Sequence, residues 1–183
     1  MPELYLHEVR VINTAQLPDA ARRSARQLMD AAFGGEFSDD DWAHALGGWH
    51  ALAGADRAIV GHASVVERRI VVGAHEFRAG YVEAVAVRPS RQRRGVGTML
   101  MIAIAQVIQA RFEIGVLATG EWAFYERLGW ERWRGPTFVK ATGGALQRTP
   151  DEDDGVMVLR CESSREIDLA APIICDARAG DSW

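Results

Sequence analysis

The chain has 183 residues, a formal net charge of −4, and 48% hydrophobic residues. This length predicts a single domain, residues 1–183, with enough apolar side chains for a hydrophobic core. No apolar run approaches the roughly 18 residues that span a bilayer, and the charged segment Met1 to Asn13 lacks a signal-peptide core. We therefore expect a cytoplasmic protein with no membrane partner, and the acidic balance gives no reason to expect nucleic acid.

The first half of the chain predicts a strand, two helices and a strand meander. Loose alternation predicts a strand over residues 4–11, Thr14 can cap a short turn, and a helix begins at Pro18 and runs through Met29. Ser38 or Asp39 caps a short helix that contains Trp42 and Leu46. Three more strands are predicted over residues 49–53, 58–66 and 70–72, with a turn at Gly73-Ala74.

The second half predicts an α/β arrangement. A strand over residues 80–87 is followed by a loop and a helix over 96–112, which we expect to be deeply buried because 99–105 is apolar on all sides. The next strand, 114–118, should be parallel to the strand 80–87, since a helical crossover joins them. A helix over 119–128 with Gly129 as its C-cap and strands over 130–133, 137–140, 156–161 and 172–175 complete the prediction.

The loop between strand 80–87 and the following helix predicts a pyrophosphate site. Gly95 and Gly97 can take backbone angles closed to other residues, so amide N–H groups can converge at the helix N-terminus. Arg93 and Arg94 add positive charge beside these donors. An ordinary turn would explain the glycines but not the arginines. The complete P-loop and dinucleotide-binding patterns are both absent from the sequence.

Glu83 is the charged residue of the apolar strand 80–87. A buried carboxylate is costly without a partner, so the alternatives are a surface position and a functional one. If the strand alternates strictly, Glu83 shares a face with Tyr81, Val85 and Val87. In the functional interpretation Glu83 is a general base that removes a proton from an amine, directly or through water.

Acidic residues come from three separate regions of the sequence. Each residue alone is most simply a solvated surface charge. If the regions converge beside Glu83, they form a negative cleft that attracts a polycationic amine. The acidic candidates are Glu36, Asp39, Asp40, Asp41, the run Asp151 to Asp154, and Asp181.

The cysteines and histidines predict no metal site. Cys161 and Cys175 have neither metal-ligand spacing nor a Cys-x-x-Cys motif, so we expect reduced structural thiols. The five histidines are scattered without ligand spacing, and we assign none of them to metal binding or catalysis.

Two motifs resemble the GNAT N-acetyltransferase superfamily. Gln92-x-x-Gly95-x-Gly97 is similar to its acyl-CoA pyrophosphate loop, and Phe124-Tyr125-x-x-x-Gly129-Trp130 is similar to its aromatic signature. The resemblance implies a mixed central sheet flanked by helices and acetyl-CoA as cosubstrate. It also implies that the backbone of Val85 and Val87 binds the pantetheine arm and that the phosphate loop comprises Gln92, Arg93, Arg94, Gly95, Val96, Gly97 and Thr98.

Further segments resemble the aminoglycoside 2′-N-acetyltransferases within that superfamily. They are Phe33 to Phe37, Asp41-Trp42, Leu46-Gly47-Gly48, Gly80 to Glu83, Trp133 to Thr137, and Arg178-Ala179-Gly180-Asp181 with Trp183. The resemblance implies acetylation of the 2′-amino group of an aminoglycoside by a homodimer.

This narrower resemblance assigns roles to individual residues. It implies that Glu83 is the base, acting through water, and that Tyr125 protonates the departing thiolate. It implies substrate contacts by Glu36, Asp41, Asp153, Asp181 and the carboxylate of Trp183. Glu36 stands where the family is expected to carry Asp, and Leu117 to Gly120 departs from a more Ser-rich stretch, so substrate preference is open. The alternatives are acetylation of another cellular amine, such as a cell-wall amino sugar, and a noncatalytic binding module.

Overall fold

The computed structural model describes residues 9–183, so the first five residues of the strand predicted over 4–11 lie outside the described residues. The described strands are β1 Val9–Asn13, β2 Trp49–Ala55, β3 Ala58–Val72, β4 His75–Val87, β5 Ile114–Ala118, β6 Glu131–Arg132, β7 Thr137–Lys140, β8 Leu146–Arg148, β9 Val156–Arg160 and β10 Ile173–Asp176. The α-helices are α1 Asp19–Ala32, α2 Asp39–His44, α3 Val96–Arg111 and α4 Trp122–Glu126. None of the described helices has the length and hydropathy needed to cross a membrane.

The described chain divides into two compact units. The first contains the residues up to Ser64 together with Glu83–Ile104, and the second contains Val65–Val82 and Ala105–Trp183. Consequently β3, β4 and α3 each contribute residues to both units.

The first unit packs α1 against its strands. β1 pairs antiparallel with β2, with Val9 opposite Ala53, and β2 pairs with β3. Apolar residues recur along α1 at helical spacing and therefore share one face, which is buried. The core residues of this unit are Leu17, Ala21, Leu28, Met29, Leu52, Ile59 and Ala86.

Side chains cap α2 and the 3-10 turn Thr14–Gln16 in the first unit, whereas α1 begins without a side-chain cap. Ser38 caps α2, as one of the two predicted alternatives, by accepting from the Asp41 N–H at 3.1 Å. The cap predicted at Thr14 is wrong, because the side chain of Asn13 accepts from the Ala15 N–H at 3.0 Å. Leu46 lies beyond α2, since the helix ends at His44.

The predicted break between strands 58–66 and 70–72 is wrong, because β3 continues from Ala58 to Val72. The charged residues at the predicted break, Glu67, Arg68 and Arg69, are part of the strand. Arg69 donates to Asp176 on the neighbouring β10 at 2.6 Å and to Glu76 on β4 at 3.1 Å. These partners lie elsewhere in the sequence, so the local pattern gave no sign of continuity.

The second unit contains a mixed sheet in the order β6-β9-β5-β4-β3-β10-β7-β8. β4 and β5 are parallel, with Ala79 opposite Ile114, which confirms the predicted crossover. β10 and β7 are also parallel, whereas β5 pairs antiparallel with β9. The predicted mixed α/β architecture is therefore confirmed. β8 was not predicted, because all three of its side chains are exposed and form no apolar pattern.

Both units have close contacts between α3 and the strands. A Cβ at Gly61 of β3 would come within 2.7 Å of Val96 Cγ1, in the first unit. In the second unit, a Cβ at Gly80 of β4 would come within 2.7 Å of Phe112 Cδ2. The missing side chains let the segment over 96–112 approach the strands. The predicted deep burial is found on one face of α3, where Leu100 and Ile104 are 0% exposed, but Ile102 is 50% exposed, so the apolar residues of 99–105 are not buried on all sides.

The helix predicted over 119–128 is much shorter than expected. α4 covers five residues, Trp122–Glu126, and not 119–128. Thr119 Oγ1 accepts from the Glu121 N–H at 3.0 Å, which holds the preceding residues in a turn. Arg127 is the C-cap, whereas Gly129, with φ of 86°, ends the following turn.

Candidate active site

The predicted phosphate loop follows β4 in the first unit. A 3-10 turn at Pro89–Arg91 leads to Arg93 and Gly95, which have left-handed backbones with φ of 57° and 81°. Gln92 Nε2 donates to the Val87 carbonyl at 3.2 Å, so its side chain ties the loop to the end of β4. Left-handed residues that alternate with ordinary ones can turn their N–H groups toward one concave surface.

The start of α3 supplies further donors. The Met99 N–H donates to the Gly95 carbonyl at 3.0 Å, which makes it the first amide to find an intrahelical acceptor. The amides of Val96, Gly97 and Thr98 precede it and have no such acceptor by helix geometry. The exposed Arg93 and Arg94 carry positive charge beside them. Donors, helix dipole and guanidinium groups together fit a pyrophosphate.

Gly95→Ala should weaken CoA binding about fivefold, because a left-handed backbone costs a residue with a Cβ about 1 kcal/mol. A Cβ at Gly95 would meet no atom within 4 Å, so the expected effect comes from backbone conformation and not from a clash. Calorimetric titration with CoA measures it. Gly143→Ala is the matched control, since Gly143 is also uncrowded and its φ lies outside the left-handed region. Equal affinities for both variants would contradict the assignment of the loop.

Glu83 lies half-buried in β4, immediately before an unusual residue. Ala84 has φ of 50°, a left-handed conformation that is uncommon for a residue other than glycine. Glu83, Ala84 and Val85 are all half-buried, so the condition of strict alternation is not met here. The Ser64 hydroxyl donates to the Glu83 carbonyl at 3.1 Å. The distortion sets the direction of Glu83 and of the backbone that follows it.

The predicted substrate contacts of the first unit have different surroundings. Glu36 is exposed in the loop after α1, and Arg26 holds this loop by donating to the Phe37 carbonyl at 3.1 Å. Asp41 instead accepts from both the N–H and the hydroxyl of Ser38, each at 2.8 Å. The carboxylate of Glu36 is thus on the surface, whereas that of Asp41 already caps α2.

Tyr125 belongs to the second unit and is buried at the end of α4. Its ring makes edge contacts with Phe124 and Trp130, at centroid distances of 4.9 and 6.2 Å. Burial, followed by the charge of Glu121, raises the pKa of Tyr125 to about 12. The phenol therefore keeps its proton at neutral pH and can donate a hydrogen bond to a developing anion.

The second unit also contains an acidic cavity of about 320 Å³. Asp151, Glu152 and Asp181 line it, together with Trp183. Burial raises the pKa of Glu152, and the charges of Asp181 and Asp151 raise it further. Part of the predicted convergence is thus found within this unit, where Asp151 and Glu152 of the acidic run lie with Asp181. Its position beside Glu83 stays a prediction.

The C-terminal segment is fixed around the cavity. The indole N–H of Trp183 donates to Thr149 Oγ1 at 3.2 Å, and its backbone N–H donates to Asp181 Oδ1 at 3.1 Å. Arg178 Nε donates to the Asp181 carbonyl at 2.7 Å, while its guanidinium lies 5.5 Å from the Tyr81 ring centroid. These contacts make Trp183 a buried wall of the cavity and set the direction of Asp181.

Asp153 differs from Asp151 and Glu152 because its carboxylate accepts hydrogen bonds from Thr137 and Arg148. It accepts from the N–H and hydroxyl of Thr137 at 3.0 and 2.9 Å, and from both terminal nitrogens of Arg148. The bond from Arg148 lowers the pKa of Asp153 to about 2. A substrate ammonium at Asp153 would have to share the carboxylate with these donors. The sequence did not single out Glu152, which lines the cavity.

We expect Asp153→Asn to lower the Tm by a few degrees, because the amide cannot accept all of these bonds. The stability from this carboxylate is present above its unfolded pKa near 3.8 and is lost as pH falls through about 2. The difference in Tm between Asp153→Asn and the unaltered protein should therefore disappear at strongly acidic pH. Thermal melting against pH measures it, and Asp154→Asn is the control. An unchanged Tm with a raised KM would instead identify Asp153 as a substrate contact.

The cysteines take no part in this chemistry. Cys161 and Cys175 are both free and buried, and burial raises the pKa of each thiol to about 11. They therefore carry little thiolate at neutral pH, which agrees with the predicted structural role.

Comparison with known proteins identifies the family. The Acetyltransferase (GNAT) domain matches residues 13–133. The aminoglycoside 2′-N-acetyltransferase of Mycolicibacterium fortuitum is 41% identical over 182 residues, which cover 97% of this chain and 93% of that protein.

Solved structures agree on the fold. The GNAT N-acetyltransferase YhbS from Escherichia coli, determined with CoA, matches with a TM-score of 0.61 and 16% identity over 92% of this chain and 89% of that one. Eis1 from Mycobacterium abscessus matches with a TM-score of 0.59 and 19% identity over 72% of this chain, which spans only 33% of Eis1. Together with the sequence matches, these findings show that the chain belongs to the GNAT acetyltransferases, in the family of the aminoglycoside 2′-N-acetyltransferases.

Proposed function

We propose that the protein transfers an acetyl group directly from acetyl-CoA to the 2′-amino group of aminoglycoside antibiotics and thereby confers resistance. The observation that carries the proposal is the 41% identity with the M. fortuitum enzyme over nearly the whole length of both chains. The donor loop and the acidic cavity support it, because they suit an anionic donor and a polycationic acceptor.

Acetyl-CoA binds along the end of β4 and the start of α3. The backbone of Val85 and Val87 receives the pantetheine arm. The phosphate loop from Gln92 to Thr98 receives the pyrophosphate through backbone N–H groups, with Arg93 and Arg94 beside it. The left-handed backbones of Arg93 and Gly95 support this assignment, since such residues can turn backbone N–H groups toward a bound anion.

Glu83 is the proposed general base. An aminoglycoside amine arrives as an ammonium ion and must lose a proton before its lone pair can attack the thioester carbonyl. Glu83 takes this proton, directly or through a water molecule. The carbon–nitrogen bond then forms, the nitrogen releases its second proton to solvent, the carbon–sulfur bond breaks, and the electron pair leaves on sulfur. No covalent intermediate on the protein is required.

Tyr125 is the proposed acid for the departing thiolate. Complete transfer from a phenol of pKa about 12 to a thiolate of ordinary pKa is uphill by several kcal/mol. Tyr125 therefore acts first as a hydrogen-bond donor that stabilises the charge growing on sulfur. The thiolate can take the phenol proton completely only if a proton from solvent returns to the phenol oxygen.

Carboxylates bind the remaining ammonium groups of the aminoglycoside. The proposed contacts are Glu36, Asp41, Asp153, Asp181 and Trp183. To these we add Glu152, whose pKa is raised by burial and, to a smaller extent, by the negative charges of Asp181 and Asp151. An ammonium group in the cavity would relieve that repulsion, which supports a cationic ligand there.

We further propose that residues 1–183 act as one domain, in the cytoplasm and as a homodimer. Acetyl-CoA is produced in the cytoplasm, which supports this location for an enzyme that consumes it. Sedimentation analysis tests the dimer, and a monomer at assay concentrations would contradict it.

The decisive test compares two aminoglycosides that differ only in a 2′-amino or 2′-hydroxyl group. Thiol release from acetyl-CoA should be rapid with the 2′-amine and near background with the 2′-alcohol. Equal rates would refute the position of transfer. Rates at background with both, but rapid with a cell-wall amino sugar, would identify another amine as the substrate.

A further inference from the structure

Two buried histidines form a hydrogen-bonded line that ends at the distortion in β4. His50 on β2 and His62 on β3 are each 0% exposed, and His50 Nδ1 lies 2.9 Å from His62 Nε2. His62 Nδ1 lies 2.7 Å from the Ala84 carbonyl oxygen, and His50 Nε2 lies 2.7 Å from Thr14 Oγ1. All four residues belong to the first unit.

The carbonyl at the end fixes the direction of every bond in the line. A carbonyl oxygen can only accept, so His62 Nδ1 must carry a proton and donate it to Ala84. Burial lowers the pKa of His62 to about 4, so the ring is neutral at pH 7 and its Nε2 is an acceptor. His50 Nδ1 must therefore carry a proton as well.

His50 is neutral for similar reasons. Burial lowers its pKa to about 3, helped by the charges of His62 and Arg22. Its Nε2 then accepts the single proton of the Thr14 hydroxyl, in preference to the Gly48 carbonyl at 3.1 Å. The Thr14 oxygen in turn accepts from the Gly47 N–H at 3.0 Å. The line does not serve as a proton relay, because an amide carbonyl cannot pass a proton on.

A second side chain of β3 acts on the neighbouring carbonyl. His62 and Ser64 are two residues apart and share a face of the strand, and both are fully buried. Ser64 donates to the carbonyl of Glu83, and His62 donates to the carbonyl of Ala84. Two side chains of β3 thus donate hydrogen bonds to two successive carbonyls at the distorted part of β4.

We propose that His62, oriented by His50 and assisted by Ser64, is a positioning residue for the acetyl transfer. It holds Ala84 in its left-handed conformation and thereby directs the Glu83 side chain and the backbone of Val85. Without the His62 N–H, the Ala84 carbonyl is left buried without this donor, and an ordinary extended backbone is favoured. This inference rests on the proposed function for its kinetic consequence but not for its structural one.

The structural consequence is tested on the unaltered protein by its imidazole tautomers. Long-range ¹H–¹⁵N correlation spectra at pH 7 should show both His50 and His62 as the neutral Nδ1–H tautomer, which is the less common one in solution. A His62 ring protonated at Nε2 would overturn the inference. This result does not depend on any substrate, so it stands apart from a failure of the proposed function.

The kinetic consequence is tested with paired variants. His62→Asn keeps an amide N–H near the position of Nδ1 and should retain kcat/KM within about threefold, whereas His62→Leu should lower it about tenfold or more. The His62→Leu loss should appear for both the amine and acetyl-CoA. His75→Leu, at an exposed position of β4, should match the unaltered protein.

Two kinetic outcomes would overturn the inference. One is a folded His62→Leu protein with unchanged kcat/KM for both substrates. The other is an equal loss in His62→Asn and His62→Leu, since the donor would then not be the feature that matters. If His62→Leu melts below the assay temperature, the tautomer spectra and the His62→Asn kinetics decide.

Discussion

Glu83→Gln should lower kcat by at least about 100-fold, the lower end of what a general base contributes. The amide has nearly the same shape but cannot take the proton of the attacking ammonium. The affinity for CoA should stay close to that of the unaltered protein, because the charge of Glu83 is not part of the phosphate loop. Thiol release with a 2′-amino aminoglycoside measures the loss.

Two controls separate lost basicity from general damage. Glu76→Gln makes the same change at an exposed position of β4 and should keep kcat. Raising the pH should partly restore the rate of Glu83→Gln, because more of the amine then arrives already deprotonated. A variant with unchanged kcat, or one that alkaline pH does not rescue, would remove Glu83 from the role of base.

Tyr125→Phe should lower kcat about 100-fold, because the thiolate then leaves without a hydrogen bond from the phenol. The buried ring can keep its edge contacts with Phe124 and Trp130, so CoA affinity and Tm should change little. Steady-state kinetics with a calorimetric CoA titration distinguish a chemical effect from a binding effect.

The raised pKa of Tyr125 predicts the shape of the pH profile. Because the phenol ionises only near pH 12, its donor form is complete at every lower pH used in assays. Activity should rise as the amine loses its proton and then stay level to about pH 10. A fall in kcat between pH 8 and 10 that is absent from Tyr125→Phe would show that the phenol ionises early, and would contradict the burial described for it.

Elements with strong local signals were predicted well. The apolar spacing and the glycines at the start of α3 are local, and so is the crossover that makes β5 parallel to β4. β3 lies between β4 and β10, and β10 comes about 100 residues later in the sequence, so this part of the support for β3 could not be read locally. β8 has no apolar pattern and exists because it pairs with β7.

In the candidate site, too, local sequence patterns were predicted and contacts between distant residues were not. The acidic run and Asp181 were recognised as a possible cluster, and two residues of the run, Asp151 and Glu152, do line one cavity with Asp181. Which carboxylates of the run face it depends on Arg148 and Thr137, which bind Asp153, while Asp151 and Glu152 line the cavity. The left-handed backbone of Ala84 also escaped prediction, because alanine gives no local sign of it and its donor His62 lies on another strand.

The position of the acetyl group in the product tests the central claim most directly. An aminoglycoside with amino groups at the 2′ position and at several others is converted with acetyl-CoA, and two-dimensional NMR locates the new amide. The account predicts one product, acetylated on the 2′ nitrogen alone. An acetyl group on any other nitrogen, or a mixture of positions, would contradict it.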